Sequence, residues 1–390
     1  MRLFETFTRT EHRSKNRSEP TFDYYNLSAR PAVCALREIL ERWFSRFPEE
    51  EKKNLRGRLR SPRESNSQGA FFELYIHELF SCLGFDLHAH PTIHGASTHP
   101  DFLASGCGVG QFYIEARLAG LPSEQEQSAD ARAAVVYDAI NTIHSPNFFL
   151  RLDIRGAPNT PPPTRKLRED LTKWLSHLNA DEVPQLGSDD SAAPSFHWQH
   201  AGWNLMFTPI PKSAGLRSKP GVRPIGIEVP EGGWFAADVE IKQAVETKAD
   251  KYGDLGQSLM VAVNYVGMHC DNIDVMNALY GQESTIVSFA DDGGFTQRDQ
   301  RKPNGLWFGQ KGPRNPGVSG VMIASGLNPM NMGIVTPELF HNPWANHPLA
   351  PSTWQLPQCV ADLEARRVEH LSGSQAGTVL GIPSPWPIPD

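Results

Sequence analysis

Apolar residues recur at helical spacing over 29–48, where Val33, Leu36, Ile39, Leu40, Trp43 and Phe44 share one face. The charged stretch EEEKKNLRGRLR that follows reads as a solvated helix or loop. A second helix is expected over 65–84. Ser65, Asn66 and Ser67 offer N-caps, Gly84 a C-terminal stop, and Phe72, Ile76, Leu79 and Leu83 one face. Glu73 falls at the edge of that face, beside Phe80. The period then changes to two. FDLHAHPTI predicts a strand with Phe85, Leu87 and Ala89 on one side and His88 and His90 on the other. HPDFLASG and QFYIEARLAG predict two more, the latter with Phe112 and Ile114 alternating against Tyr113 and Glu115. Between them GCGVG has GxGxG spacing and precedes a strand, so it reads as a hairpin turn and not as a dinucleotide fingerprint.

SEQEQSADARAAVVYDAINTI predicts a helix opened by a Ser123–Glu126 capping box. NFFLRLDIRG predicts a fourth strand, with Leu150, Leu152 and Ile154 opposite Arg151, Asp153 and Arg155. The order over 67–155 is therefore helix, three strands, helix, strand. PNTPPPT is a rigid linker. Beyond it the pattern predicts a helix RKLREDLTKWLSHLN, a polar loop DEVPQLGSDDSAAP, strands WNLMFTPIP and IGIEV, and a helix AADVEIKQAVETKADKYG that stops at Gly253. SLMVAVNYV reads as a buried strand, IDVMNALYG as a short helix, Asn304-Gly305 as a hairpin turn and VSGVMIA as a strand. The expected organisation is a polar, flexible arm and helix over 1–64, a core over 65–157, a linker and helical insertion over 158–195, an α/β part over 196–345 and a Pro-rich tail over 346–390.

Composition narrows the class. Of 390 residues 39% are hydrophobic, with 32 Pro and 32 Gly, which suits a loop-rich soluble protein. No apolar run reaches the ~18–20 residues that span a membrane, and the N-terminus lacks the apolar stretch of a secretory signal. A net charge of −7 argues against a general nucleic-acid coat, so nucleic-acid contact would need a local basic patch or a metal. The five cysteines, Cys34, Cys82, Cys107, Cys270 and Cys359, are scattered and contain no CxxC. Reduced thiols in a cytoplasm are expected. There is no P-loop, no GxSxG and no persuasive Cys–His pair.

HAHPTIHGASTHPD, 88–101, places His88, His90, His94 and His99 close together, but at a spacing that fits no zinc pattern. A polar strand face or loop is the simpler reading. The last residue of the stretch, Asp101, carries more chemistry. Asp101 and Glu115 lie on successive strands and can converge at one end of a twisted hairpin. Two close carboxylates repel, so an ionised site needs a cation. Their oxygens suit Mg²⁺ or Mn²⁺. Arg117 projects from the same strand face as Glu115 and can hold a phosphate. Lys248 and Lys251 belong by default to a solvated helix face. With Arg151 and Arg155 they are weaker candidates for phosphate contact.

Pro100-Asp101, then Glu115-Ala116-Arg117, in an αβββαβ frame with Glu73 on the first helix, resembles the PD-(D/E)XK nuclease superfamily, the restriction-endonuclease-like fold. The resemblance covers 67–155 and implies an α/β protein whose core is extended by an N-terminal helical segment and a C-terminal α/β part. It implies a metal-dependent nuclease acting on nucleic acid, DNA foremost, in defence or repair, alone or with a defence-system partner or a second copy. It assigns Asp101, Glu115 and Glu73 to Mg²⁺. Where the family has lysine this chain has Arg117, a poor general base because its pKa exceeds ~12. Lys248 or Lys251 could take the missing place. Alternatively the site is degenerate and the chain is a binding or assembly module, or a small-molecule or peptide binder built around the second α/β half, which a deep apolar pocket near 241–265 would support.

Overall fold

Aromatic residues scattered through the first 30 positions draw that segment into the core. In the computed structural model of the chain, Leu3 and Phe4 are buried, and Phe4 stacks on Phe22 with ring centroids 5.0 Å apart. The amides of Leu3 and Phe4 donate to the Glu41 carboxylate. The segment expected to be a flexible arm is thus packed. The structure describes every residue outside 94–97, 107, 109, 157, 185–192, 220–221, 230–235, 253–254, 290–294, 365–366 and 390. His94, Gly253 and most of the polar loop after 181 lie outside the described residues.

The chain opens with α1 (Thr21–Leu27), α2 (Pro31–Arg46), α3 (Lys52–Leu59) and α4 (Glu64–Cys82). Helix α2 buries the six apolar residues its spacing predicts. Helix α3 is the charged stretch, anchored by buried Leu55 and Leu59. Helix α4 starts earlier than its serines suggest. Arg63 is the N-cap, and Ser67 donates to the Leu59 carbonyl at 2.9 Å instead of capping. Gly84, at φ 89°, ends it as expected. From Ala70 to Phe80 every residue of α4 is buried, Glu73, His77 and Glu78 included.

Strands β1 (Phe85–Ala89), β2 (Phe102–Gly106) and β3 (Gln111–Ala119) then form an antiparallel meander. After β3 the chain leaves this sheet. Contacts divide the molecule into two units, one of residues 1–13, 20–121 and 235–390, the other of 14–19 and 122–234. The second unit holds α5 (Glu124–Asn141), β4 (Phe148–Ile154), α6 (Thr164–Leu175), β5 (Phe196–His200), β6 (Trp203–Pro211) and β7 (Ile225–Val229). Its strands run β5-β6-β4-β7, over a core that includes Val136, Ile140, Leu150, Leu152, Leu167, Leu171 and Phe207. The Ser123–Glu126 capping box is present.

The helix and strand expected to complete the 65–157 core therefore belong to another sheet. The first unit is completed instead by α7 (Ala237–Tyr252) and β8 (Ser258–Tyr265), and β8 pairs in parallel with all of β3 from Phe112 to Ala119. The physical reason is visible in the strands. A central strand covered on both faces must be apolar throughout, as SLMVAVNY is, whereas FFLRLDI alternates and suits a sheet with one wet face.

The chain continues through α8 (Asn272–Tyr280), a β9 (Glu283–Phe289) and β10 (Phe295–Arg301) ribbon, and the short pair β11 (Phe308–Gly309) and β12 (Gly312–Pro313). The chain reverses directly after Asn304, within an antiparallel bridge to Gly309, and a second, tighter hairpin joins β11 to β12. Strands β13 (Gly320–Ser325), β14 (Glu338–His341), β15 (Gln358–Asp362) and β16 (Arg367–Leu371), then α9 (Ala376–Val379), end the chain. The large sheet has the order β1-β2-β3-β8-β13-β14-β15-β16 and mixes parallel and antiparallel pairs. One face packs on α2 and α4, the other on α7 and α8. The fold is mixed α/β. Among the described residues no helix is long and apolar enough to cross a membrane.

The two points where the chain leaves and rejoins the large sheet are close. A Cβ on Gly120 would come within 2.7 Å of the Tyr265 ring, and the Tyr265 hydroxyl donates to Glu240, in the first turn of α7, at 3.0 Å. One tyrosine side chain thus spans the junction. Replacing 122–234 with a Gly/Ser linker of about six residues is expected to leave a chain that unfolds cooperatively in urea with α4, β1–β3, α7 and β8 intact. A non-cooperative transition would show that the first unit depends on the second.

Candidate functional site

Two adjacent strands bring the carboxylates together. Phe102 pairs with Ile114, so Asp101, one residue before β2, stands at the level of Glu115. The Asp101 Oδ2 accepts the Ala116 amide at 2.7 Å, and the Asp101 carbonyl accepts the His90 amide at 2.9 Å. Phe112 and Ile114 point to the α4 face, which sends Tyr113, Glu115 and Arg117 to the α7 face. Glu115 is only 3% exposed there.

Helix α7 supplies its partner. Ile241, Val245, Lys248 and Tyr252 recur at helical spacing and form the buried stripe that faces the sheet. Lys248 therefore occupies a core position. Its Nζ forms an ion pair with Glu115 Oε1, both side chains being buried. The Tyr252 hydroxyl lies 2.8 Å from Glu115 Oε2 and from the His99 carbonyl and can donate to either. Burial, foremost, and then Glu115 push the Tyr252 phenol upward. Burial also pushes Asp101 up to about 7, with further contributions from Glu115 and Glu73, opposed by the Ala116 amide and Lys248. Lys251, on the exposed side of α7, is lowered by partial burial and then by Lys248. Its ammonium sits over the Tyr252 ring, 5.1 Å from the centroid.

The remaining candidates fall in different places. Glu73 is buried on α4 and receives a hydrogen-bonded ion pair from Arg58 of α3 at 2.6 Å. Its charge is felt at Asp101. Arg117 is half-buried, and its Nε is buried without a hydrogen-bond partner. Arg151 lies on β4, in the other sheet, and Arg155 directly after it, where it pairs with Asp153 at 2.7 Å. His88 is exposed, His90 lies 3.5 Å from Glu51 and His99 lies 3.2 Å from the Pro91 carbonyl. Two groups of three His, Cys, Asp or Glu have ligand atoms within 4.8 Å of one another among the described residues. They are Glu338–Cys359–His370 and His269–Asp271–Asp274. Neither the histidine stretch nor Glu73, Asp101 and Glu115 is one of them. The two carboxylates beside Lys248 are hard oxygen donors of the kind that hold Mg²⁺ or Mn²⁺, with two cationic side chains available for a phosphoryl group.

Tyr252 and Arg58 are absent from the sequence reading. For Lys248 and Tyr252 a signal exists, since both interrupt or extend an otherwise apolar stripe. For Arg58 none does, because its contact with Glu73 depends on how α3 packs on α4. No family model, curated protein or solved structure matches the chain.

The raised Asp101 carboxyl makes stability depend on pH. In the unfolded chain it titrates near its ordinary value of 3.8, and in the folded chain near 7. The folded chain binds more protons between these values, so this group lowers stability as pH rises from about 4 to about 7 and adds no slope above. With chelator present, the urea midpoint of wild type is expected to fall over that window relative to Asp101→Asn. Parallel pH profiles would show that Asp101 is ionised throughout.

Proposed function

We propose that the chain is a divalent-metal-dependent nuclease that hydrolyses phosphodiester bonds of nucleic acid, DNA foremost, with Asp101 and Glu115 as metal ligands and Glu73 beside them. The observation that carries this reading is Lys248. Helix α7 delivers an ammonium to Glu115, where β3 itself offers only Arg117. The residues fit a hard cation, because Asp101 and Glu115 are oxygen donors at one level of adjacent strands and a cation would relieve the repulsion that helps hold Asp101 up. When bound, Mg²⁺ or Mn²⁺ supplies an acidified water and offsets charge building on the phosphoryl group.

The chain's own side chains do the rest. The Lys248 Nζ, ion-paired with Glu115, can orient the attacking water or donate to the leaving oxygen. Arg117, with its unpartnered Nε, suits a phosphate oxygen, since a guanidinium presents a fork of donors and stays charged. Tyr252 fixes the Glu115 carboxylate and Arg58 fixes Glu73. A cytoplasmic setting, a role in defence or repair and a partner or second copy extend the same family resemblance.

A second reading is a degenerate site in a binding or assembly module. It is favoured by the partners the carboxylates already have, Lys248 and Tyr252 on the two Glu115 oxygens and Arg58 on Glu73. Two cavities, of about 260 and 680 Å³, are lined by segments other than 241–265.

Calorimetric titration of Mg²⁺ and Mn²⁺, with cleavage of pooled DNA and RNA on the same samples, separates the two readings. Wild type is expected to bind metal and cleave, and Asp101→Ala/Glu115→Ala to do neither. Lys248→Ala is expected to keep the metal and lose about 10²–10⁴-fold in cleavage rate, and Arg117→Ala about 10²–10³-fold. Wild type that binds no metal and cleaves nothing would overturn the nuclease and leave the module.

A further inference from the structure

Far along the same sheet, three neighbouring strands each present one metal-ligating side chain at one point. Glu338 starts β14, Cys359 pairs with Phe340 on β15, and His370 on β16 pairs directly with Cys359. Cys359 Sγ lies 3.0 Å from His370 Nδ1 and 3.2 Å from Glu338 Oε1, and those two atoms are 3.3 Å apart. The three donors form a nearly equilateral triangle. Bond lengths of ~2.3 Å for Zn–S and ~2.0–2.2 Å for Zn–N and Zn–O imply tetrahedral edges of about 3.4–3.6 Å between such donors. The nitrogen–oxygen edge has about that size, and the two sulfur edges, at 3.0 and 3.2 Å, lengthen by about half an ångström or less when an ion draws the donors around it.

A nucleophilic cysteine is the competing use of these residues, and the geometry is against it. A Cys–His–carboxylate relay needs the thiol on one ring nitrogen and the carboxylate on the other. Here both lie closest to the same nitrogen, Nδ1, with the sulfur 3.9 Å from Nε2. Cys359 is also fully buried, while the His370 side chain is 55% exposed. An ion can therefore enter past His370, but a bulky substrate cannot reach the sulfur. A second observation points to the same place. The Tyr280 hydroxyl, at the end of α8, is buried without a hydrogen-bond partner, and its phenol is pushed upward by burial foremost and then by its neighbours Cys359 and Glu338, against Arg301. A water on the open side of a three-ligand ion is the kind of partner such a hydroxyl would meet.

We propose that Glu338, Cys359 and His370 form a Zn²⁺ site, independent of the carboxylates beside Lys248. A thiolate, an imidazole and a carboxylate are the mixed donor set that suits zinc and not Mg²⁺. Binding replaces the Cys359 thiol proton with a sulfur–zinc bond and releases that proton to solvent. The ion ties β14, β15 and β16 together where β14 and β15 share only two paired residues. Zinc then acts as a staple on this part of the sheet, with one coordination position left for water.

The full-length chain, stripped with chelator and dialysed, is titrated with Co²⁺ and then Zn²⁺. With excess Mg²⁺ present to occupy the carboxylates beside Lys248, wild type is expected to bind one ion per chain, to give a thiolate-to-cobalt charge-transfer band that Zn²⁺ removes, and to gain thermal stability with Zn²⁺. Cys359→Ser is expected to lose the band. His370→Ala, an exposed position whose folding is checked by circular dichroism, is expected to lose the Zn²⁺-dependent rise in Tm. Asp101→Ala is expected to keep both, which separates this site from the other. Absence of the band in wild type, or its persistence in Cys359→Ser, would overturn the proposal.

Discussion

The ion pair between Lys248 and Glu115 organises the first unit. It joins a helix and a strand that are far apart in sequence, and it does so inside the layer where α7 meets the sheet. Removing two charges from water costs several kcal/mol per ion, and their attraction does little more than offset that cost. An apolar pair would hold α7 to β3 as well. What the charges add is direction. Lys248 lies opposite Glu115, Tyr252 closes the second oxygen one turn later, and Asp101 is left as the carboxylate that resists ionisation. The local chemistry follows from one cation that pairs with Glu115 and also acts on Asp101.

Sequence pattern carries a good part of this. Elements with strong periodicity, α2, α4, β1, β3, α7, β8 and β13, are found close to where their apolar spacing puts them. Asp101 and Glu115 could be placed together because a short Gly-rich turn leaves little choice of register. The assembly of elements was harder to read. Residues 122–157 offered the next helix and strand in order, and nothing local says that they fold into another sheet. The distinguishing property was the two-sided apolarity of SLMVAVNY. Strands β14–β16 are short, polar in part and defined by pairing, so the Cys359–His370 neighbourhood is invisible until the register is known.

The large sheet keeps its two carboxylate-bearing and thiol-bearing regions on strands of different character. Asp101 and Glu115 sit where an antiparallel meander meets the parallel centre, Asp101 held by the β3 backbone and Glu115 by α7. Glu338, Cys359 and His370 sit on strands whose ladder is brief. Rigid support suits a group whose proton affinity depends on burial, and a cross-link suits strands with few backbone bonds.

The parallel pairing of β3 with β8 has a consequence for how the chain is made. As β3 leaves the ribosome its outer edge has no neighbour, and the whole of 122–234 must be synthesised before β8 arrives. At ~5–20 residues per second that interval is on the order of ten seconds. Throughout it the nascent meander presents an open row of backbone donors and acceptors, the feature that templates unwanted strand pairing. Intermolecular association during translation is therefore concentrated on the strand that later carries Glu115 and Arg117.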